Sequence, residues 1–381
     1  MPMDPLEKLA QQAPGLEFEL PDGAPVIRLG LAATLYFKEG YTTAVKEKII
    51  ECFERFYEEF EAHLNWQVAG RPQKLSRQKF DKHRDAILSS GPNDQREWHI
   101  SSARNQKEAG VYSLSLLTSF ATHGDKDRSY LKLTLPWDYL NEPDGKKHFH
   151  EWLLFLVNKL AAESGYSGLA CKLPYDFASY MPMEYQLAQQ YSGLEVDTFA
   201  FSMGRELCSH IKGVNWYTVL GQTFVERLGG EETVRQAFAA HPDIKCINYD
   251  NGLIVRAGEY PELGAQEDGL PRVYVAVNRV VKPVRIPNPD QLHSYSPYGD
   301  CFDQESSARW YARFDEEQQE RAIPEKIYAG QPCSHAGYWS TPASAESRQF
   351  FNKGEVMPNF EDSDWGATIW YWAGGDTDTT E

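Results

Sequence analysis

The sequence predicts an α+β fold: two interleaved strand/helix halves with largely antiparallel sheets, followed by an acidic, aromatic-rich C-terminal segment. Three observations point there. A long apolar run, Val26–Phe37 (VIRLGLAATLYF), leads into the most regular amphipathic helix pattern of the chain. Alternation over residues 111–118 marks a strand with two unlike faces. Asp250-Asn251-Gly252 separates two strand-like runs, a hairpin signal because Asn-Gly readily adopts positive φ. The organisation expected is an arm over residues 1–25, a first α+β half over 26–180, a second over 181–286, and a helix/loop segment over 287–381 that packs on the body.

Each element has its own warrant. After Val26–Phe37, Thr42 or Thr43 can cap a helix in which Val45, Ile49, Cys52, Phe53, Phe56, Phe60 and Leu64 recur at helical spacing. A shorter helix is expected from Ser76 to Leu88, then strands at Glu97–Ser101, Val111–Thr118 and Tyr130–Leu135. In the middle strand Tyr112, Leu114 and Leu116 form the more apolar face, as in a sheet with one buried side. Pro136 ends that series. Lys146–Glu163 reads as a helix built on Phe149, Trp152, Leu153, Leu156, Val157 and Leu160, with a short strand at Leu169–Leu173. The second half opens with a helix at Met183–Tyr191, with Gly193 where a C-cap belongs. Val214–Leu220 reads as extended, Thr223–Leu228 and Glu231–Ala240 as helical, and Ile244–Tyr249 with Leu253–Ala257 as the hairpin. Val273–Val281 (VYVAVNRVV) is the most strand-like stretch of all by propensity. A last helix is expected from Gln304 to about Glu320, with Trp310 and Phe314 on its apolar stripe, and only the final DTDTTE is expected to be disordered.

Composition narrows the function. The chain has 381 residues, 41% apolar and 13% aromatic, enough for a substantial core. Its formal charge is −17 and its pI about 5.1, which argues against nucleic acid as a partner and suits a basic protein instead. Residues 286–381 hold 17 acidic and 6 basic side chains, so 11 of the 17 net negative charges fall in the last quarter. No apolar run approaches the roughly 20 residues of a membrane span, and the first residues show no secretory leader, so a cytoplasmic protein is expected. Six cysteines without a C-x-x-C pair read as thiols of a reducing compartment.

The search for catalytic motifs is negative, and no cofactor, metal or catalytic residue is assigned. There is no phosphate loop, dinucleotide fingerprint, nucleophile elbow or H-E-x-x-H. His148 and His150 lie two apart, so on a helix their rings diverge rather than converge on a metal. Cys208-Ser209-His210 and Cys333-Ser334-His335 repeat a thiol–imidazole spacing, but a catalytic Cys needs a His that faces it in space. Asp125/Asp127 and Glu361-Asp362-Ser363-Asp364 lack the Gly and Glu positions of a Ca²⁺ loop.

Several blocks resemble a bacterial immunity family. They are His210-Ile211-Lys212-Gly213-Val214-Asn215-Trp216-Tyr217-Thr218, Val225-Glu226-Arg227-Leu228-Gly229-Gly230 and Leu253-Ile254-Val255-Arg256-Ala257-Gly258. Pro261-Glu262-Leu263-Gly264, Val281-Lys282-Pro283-Val284-Arg285, Phe37-Lys38-Glu39-Gly40-Tyr41 and Ser164-Gly165-Tyr166-Ser167-Gly168-Leu169-Ala170 complete the pattern. Over Val26 to Ile286 the chain resembles the type VI secretion immunity proteins paired with VRR-type and related nuclease effectors. That resemblance implies a non-enzymatic, cytoplasmic protein that binds and neutralises a toxic effector, one to one, protecting the producing cell and its siblings. The strongly negative balance suits a partner whose active face must be basic to grip nucleic acid. The expected contact residues are acidic and aromatic positions of the last quarter: Glu316, Glu317, Glu361, Asp362, Asp364 and Trp365. The alternatives are a cytoplasmic hydrolase with an unrecognised acidic site and a self-assembling scaffold component.

Overall fold

The computed structural model describes residues 4–315, 326–334, 336–341, 347–360 and 368–374. The chain divides into two compact units, Met1–Phe314 and Asp315–Glu381.

The first unit opens with α1 (Pro5–Gln12), where the Asp4 carboxylate accepts from the Leu6 and Glu7 amides. A short β1 (Phe18–Glu19) precedes β2 (Pro25–Phe37), and α2 (Thr43–Phe60) follows, capped by the Thr42 hydroxyl, which accepts from the Val45 amide. Next come β3 (Trp66–Val68), β4 (Pro72–Lys74), α3 (Arg77–Leu88), β5 (Glu97–Ser101), β6 (Ser113–Leu117), β7 (Ser129–Pro136), α4 (Gly145–Leu160) and β8 (Ser164–Lys172). The chain continues through α5 (Met181–Gln190), β9 (Tyr217–Gly221), α6 (Gln222–Arg227), α7 (Glu231–Ala237) and the hairpin of β10 (Ile244–Tyr249) and β11 (Gly252–Ala257). It ends with α8 (Arg272–Val281) and α9 (Gln304–Tyr311).

The strands of this unit form one antiparallel sheet in the order β10-β11-β9-β8-β2-β7-β6-β5-β3-β4, with β1 appended to β2. The class is α+β, as the patterning predicts. Strand periodicity gives the sheet two faces. On the first, Leu35, Leu131, Leu116 and Trp98 line up across four strands and are all fully buried. Helices α2 and α4 cover this face. Phe53 stacks on Trp98 at 4.1 Å, and Phe149 of α4 stacks on Trp216. Burial of each such side chain contributes about 1.5–3 kcal/mol, so this layer supplies most of the apolar stabilisation.

The second face is also covered. In β6, Ser113 and Ser115 are buried along with Leu114 and Leu116, so the expectation of one wet face is wrong there. The cover is the largely irregular chain of residues 174–215 and 286–303. Ile286, Leu292, Phe302, Trp310 and Tyr311 join Tyr36 and Tyr166 of the sheet in a second apolar cluster.

Four further readings are corrected. Val273–Val281 is helix, not strand: Tyr274, Val277 and Val281 are fully buried, while Arg272 and Arg279, seven apart, face solvent. Burial of that stripe against the body outweighs the β-propensity of five valines. Gly193 is not the C-cap of α5, since Tyr191 holds that position. A Cβ at Gly193 would lie 2.0 Å from the Glu262 carbonyl oxygen, so backbone proximity excludes a side chain there. The expected short strand at Leu169–Leu173 is a nine-residue strand from Ser164, because Gly165 and Gly168 admit the close approach of neighbouring groups. The helix from Gln304 leaves helical geometry at Ala312, and residues 316–320 of its expected course lie outside the described residues.

The second unit contains β12 (Lys326–Tyr328), β13 (Gly337–Ser340), β14 (Gln349–Phe351) and β15 (Ile369–Gly374) in an antiparallel sheet ordered β12-β15-β13-β14. Trp339 and Trp370 are fully buried in its core with Ile327, Cys333, Phe351 and Met357. The Trp370 indole donates to the Pro358 carbonyl at 2.8 Å.

Candidate functional site

The most distinctive chemistry lies on the second sheet face, where charged side chains are buried. Lys132 of β7 reaches Asp197 Oδ2 at 2.6 Å and donates to the Asp197 carbonyl at 3.1 Å. Thr34 of β2 donates to Asp197 Oδ2 at 2.8 Å, and the Tyr166 hydroxyl of β8 donates to Oδ1. Lys212 pairs with Glu195 at 2.7 Å and lies 3.9 Å from Asp197. Asn215 donates to Glu195 Oε2 at 2.9 Å, and the Arg313 guanidinium sits 3.5 Å over the Trp310 ring and 3.8 Å from Glu195. Burial by itself would raise the Asp197 pKa. Lys132, Lys212 and the hydrogen bonds more than offset it, so its pKa falls below the usual carboxylate range. Burial pulls Arg313 down to about 10, with Glu195 opposing.

A second buried contact fixes the outer layer. Glu184 of α5 meets His293 Nε2 at 2.8 Å, and both side chains are completely buried. The Phe302 amide donates to His293 Nδ1, so Nε2 carries the proton offered to Glu184. The Thr198 hydroxyl donates to the same carboxylate. These contacts join positions far apart in sequence, and they pin residues 174–215 and 286–303 onto the sheet.

That layer carries the most exposed aromatic side chains of the first unit. Tyr295 is 86% exposed and Tyr298 64%, both on a loop ending in exposed Asp300. The loop rests on the start of α5: Ser296 donates to the Ala178 carbonyl, and Gly299 abuts Pro182. Beside it Phe177, Phe199 and exposed Phe201 form an aromatic cluster that reaches His293. An exposed aromatic group with a rigid base has the character of an interface anchor. Under this layer lies a cavity of about 370 Å³, lined by Glu97, His99, Tyr130, Lys132 and Lys172 of the sheet and by Tyr175, Phe177 and Phe201 of the cover.

The residues singled out in the sequence fare differently. Glu316, Glu317, Glu361, Asp362, Asp364 and Trp365 all lie outside the described residues. His148 is hydrogen-bonded to Tyr139 and lies 3.2 Å from Glu59, whereas His150 stacks on Tyr217, so the two rings diverge as their spacing requires. Among the described residues no group of His, Cys, Asp or Glu is arranged to hold a metal ion. Asp127 and Cys208 do come together around Arg128, which also pairs with Glu163. The thiol is pushed up, chiefly by burial, and His210 bonds Ser209 rather than Cys208. His335 lies outside the described residues. The buried Lys132–Asp197 and Glu184–His293 contacts were not singled out in the sequence. Their partners are 65 and 109 residues apart, and no local pattern marks them.

The family blocks now have physical roles. Trp216 is fully buried, and Asn215 fills the space above Gly168, where a Cβ would come within 1.8 Å of Asn215 Oδ1. Lys212 belongs to the buried ion cluster. These residues build the fold rather than a contact surface. The class they define is an immunity protein of type VI secretion. The chain belongs to the TsiV family, described as type VI immunity for VRR-NUC, whose model matches residues 48–314. A solved Pseudomonas aeruginosa T6SS protein has the same fold, with a TM-score of 0.72 and 24% identity over 83% of this chain and 92% of that one. No curated protein matches the chain. No helix among the described residues is long and apolar enough to cross a membrane.

Proposed function

We propose that this protein binds and neutralises a cognate VRR-NUC effector of type VI secretion, protecting the producing cell and its siblings. The family match over residues 48–314 carries this reading. It acts by occupying the effector one to one in the cytoplasm, without a catalytic step of its own. The charge supports it, since a nuclease must present a basic face to its substrate and a surface of net charge −17 complements that face. The proposed contacts are the acidic positions Glu316, Glu317, Glu361, Asp362 and Asp364 with Trp365, and the exposed aromatic loop of Tyr295 and Tyr298 is a second candidate patch, on the first unit.

The test is co-expression of the chain with the VRR-NUC effector of the same cell, followed by calorimetry and a plasmid-degradation assay. The expected results are restored growth, a 1:1 complex and loss of nuclease activity at equimolar ratio. Continued degradation with a tenfold excess of this chain, as an order-of-magnitude criterion, would overturn the reading.

A further inference from the structure

The 370 Å³ cavity under the outer layer borders the ion cluster at Lys132 and Asp197, and its size falls within the range of small-molecule sites. Its walls are apolar and aromatic, with Leu117, Tyr175, Phe177 and Phe201 among them. Inside, the Lys172 ammonium and the Tyr130 hydroxyl have no hydrogen-bond or ion-pair partner among the described residues. His99 uses Nδ1 on Ser115, which leaves Nε2 unengaged. We propose that this cavity binds a small aromatic monocarboxylate, with the carboxylate against Lys172 and Tyr130 and the ring among Tyr175, Phe177 and Phe201.

The charge inventory selects that class. Lys132 also lines the cavity, but Asp197 already compensates it at 2.6 Å. The lining also holds the carboxylates of Asp197, engaged by Lys132, and of Glu97, engaged by Tyr175, so Lys172 is the cation of the lining with no direct ion-pair partner and the group an incoming carboxylate would meet. A dianion would carry a second charge towards Glu97, whose carboxylate lines the cavity and accepts from the Tyr175 hydroxyl at 2.8 Å. Burial and the nearby Lys132 push Lys172 down to about 7, with Asp197 opposing them only in part. Burial, and then Lys172 and Lys132, depress His99 as well.

This proposal stands apart from effector binding and is tested on the full chain alone. A ¹⁹F-NMR titration compares 4-fluorobenzoate with its neutral isostere 4-fluorobenzamide at neutral pH. The acid is expected to bind saturably and at least about tenfold more tightly than the amide, and Lys172→Met to weaken the acid about tenfold while leaving the amide unchanged. Equal affinity for the two probes, no saturation by the acid up to about 5 mM, or undiminished acid binding in folded Lys172→Met would each overturn it. The comparison of probes uses the unmodified protein, so it decides the question even if the variant fails to fold.

Discussion

Replacing Asp197 by Asn removes the anion at the centre of the buried cluster while keeping its shape. The side chain is fully buried, and Lys132 is only 11% exposed. Asn can still accept from Thr34, but the ammonium of Lys132 at 2.6 Å and that of Lys212 at 3.9 Å lose their shared counter-charge. Removing one partner of a buried pair costs about 3–5 kcal/mol, because the remaining charge stays desolvated. An exposed pair such as Lys147–Glu151, 70% and 51% exposed, would lose well under 1 kcal/mol on the same treatment. For a unit of this size the Asp197→Asn loss corresponds to a fall in Tm of about 5–8 °C. Urea unfolding followed by tryptophan fluorescence measures it directly. Adding Lys132→Met to Asp197→Asn should recover about 1–2 kcal/mol, since the stranded cation is then gone. A loss below about 1 kcal/mol in the single variant, or a double variant no more stable than the single, would refute the reasoning. The sign with pH follows from the lowered pKa of Asp197: its contribution is complete above the unfolded carboxylate value of about 3.9 and disappears as pH falls through the lower folded value.

Other substitutions separate the scaffold from the contact surface. Trp216→Ala empties a fully buried site stacked on Phe149 and should cost about 3–5 kcal/mol in the same unfolding assay. Gly168→Ala should cost at least about 2 kcal/mol, because its Cβ displaces Asn215 from Glu195 and from the Trp216 amide. Tyr295→Ala with Tyr298→Ala should leave stability within about 0.5 kcal/mol yet weaken effector binding by about 2 kcal/mol, roughly thirtyfold, by calorimetry. Lys substitution at Glu316, Glu317, Glu361, Asp362 and Asp364 together should slow association about tenfold or more at low salt, with the difference shrinking as salt is added. Unchanged rates would place the contact surface elsewhere.

Much of the first sheet face is legible in the sequence because it is local. Thr42 caps the helix whose stripe begins at Val45, and Asn251-Gly252 turns the hairpin whose strands flank it. The outer layer is not legible for the opposite reason. Residues 191–215 and 286–303 contain little regular structure, and buried contacts such as Lys132–Asp197 and Glu184–His293 join distant elements. Even the serine face of β6, which reads as solvated, is buried only because that layer covers it. Propensity alone makes helix α8 look like a strand, although the spacing of Arg272 and Arg279 carries the helical period.

The position of β2 bears on how the chain is made. Strand β2 lies in the middle of the sheet, between β7 and β8, and its register partners, which run from Ser129 to Lys172, leave the ribosome after it. At ordinary synthesis rates those partners follow on the order of 5–30 s later. During that interval the apolar VIRLGLAATLYF segment has only the two-residue β1 to pair with, so it depends on α2 or on a chaperone for shelter. A fragment cut to residues 48–314 would lack this strand entirely and present two new edges in the centre of the sheet. The residues ahead of the family match are therefore the seam along which the two sides of the molecule are joined, and expression trials should retain them.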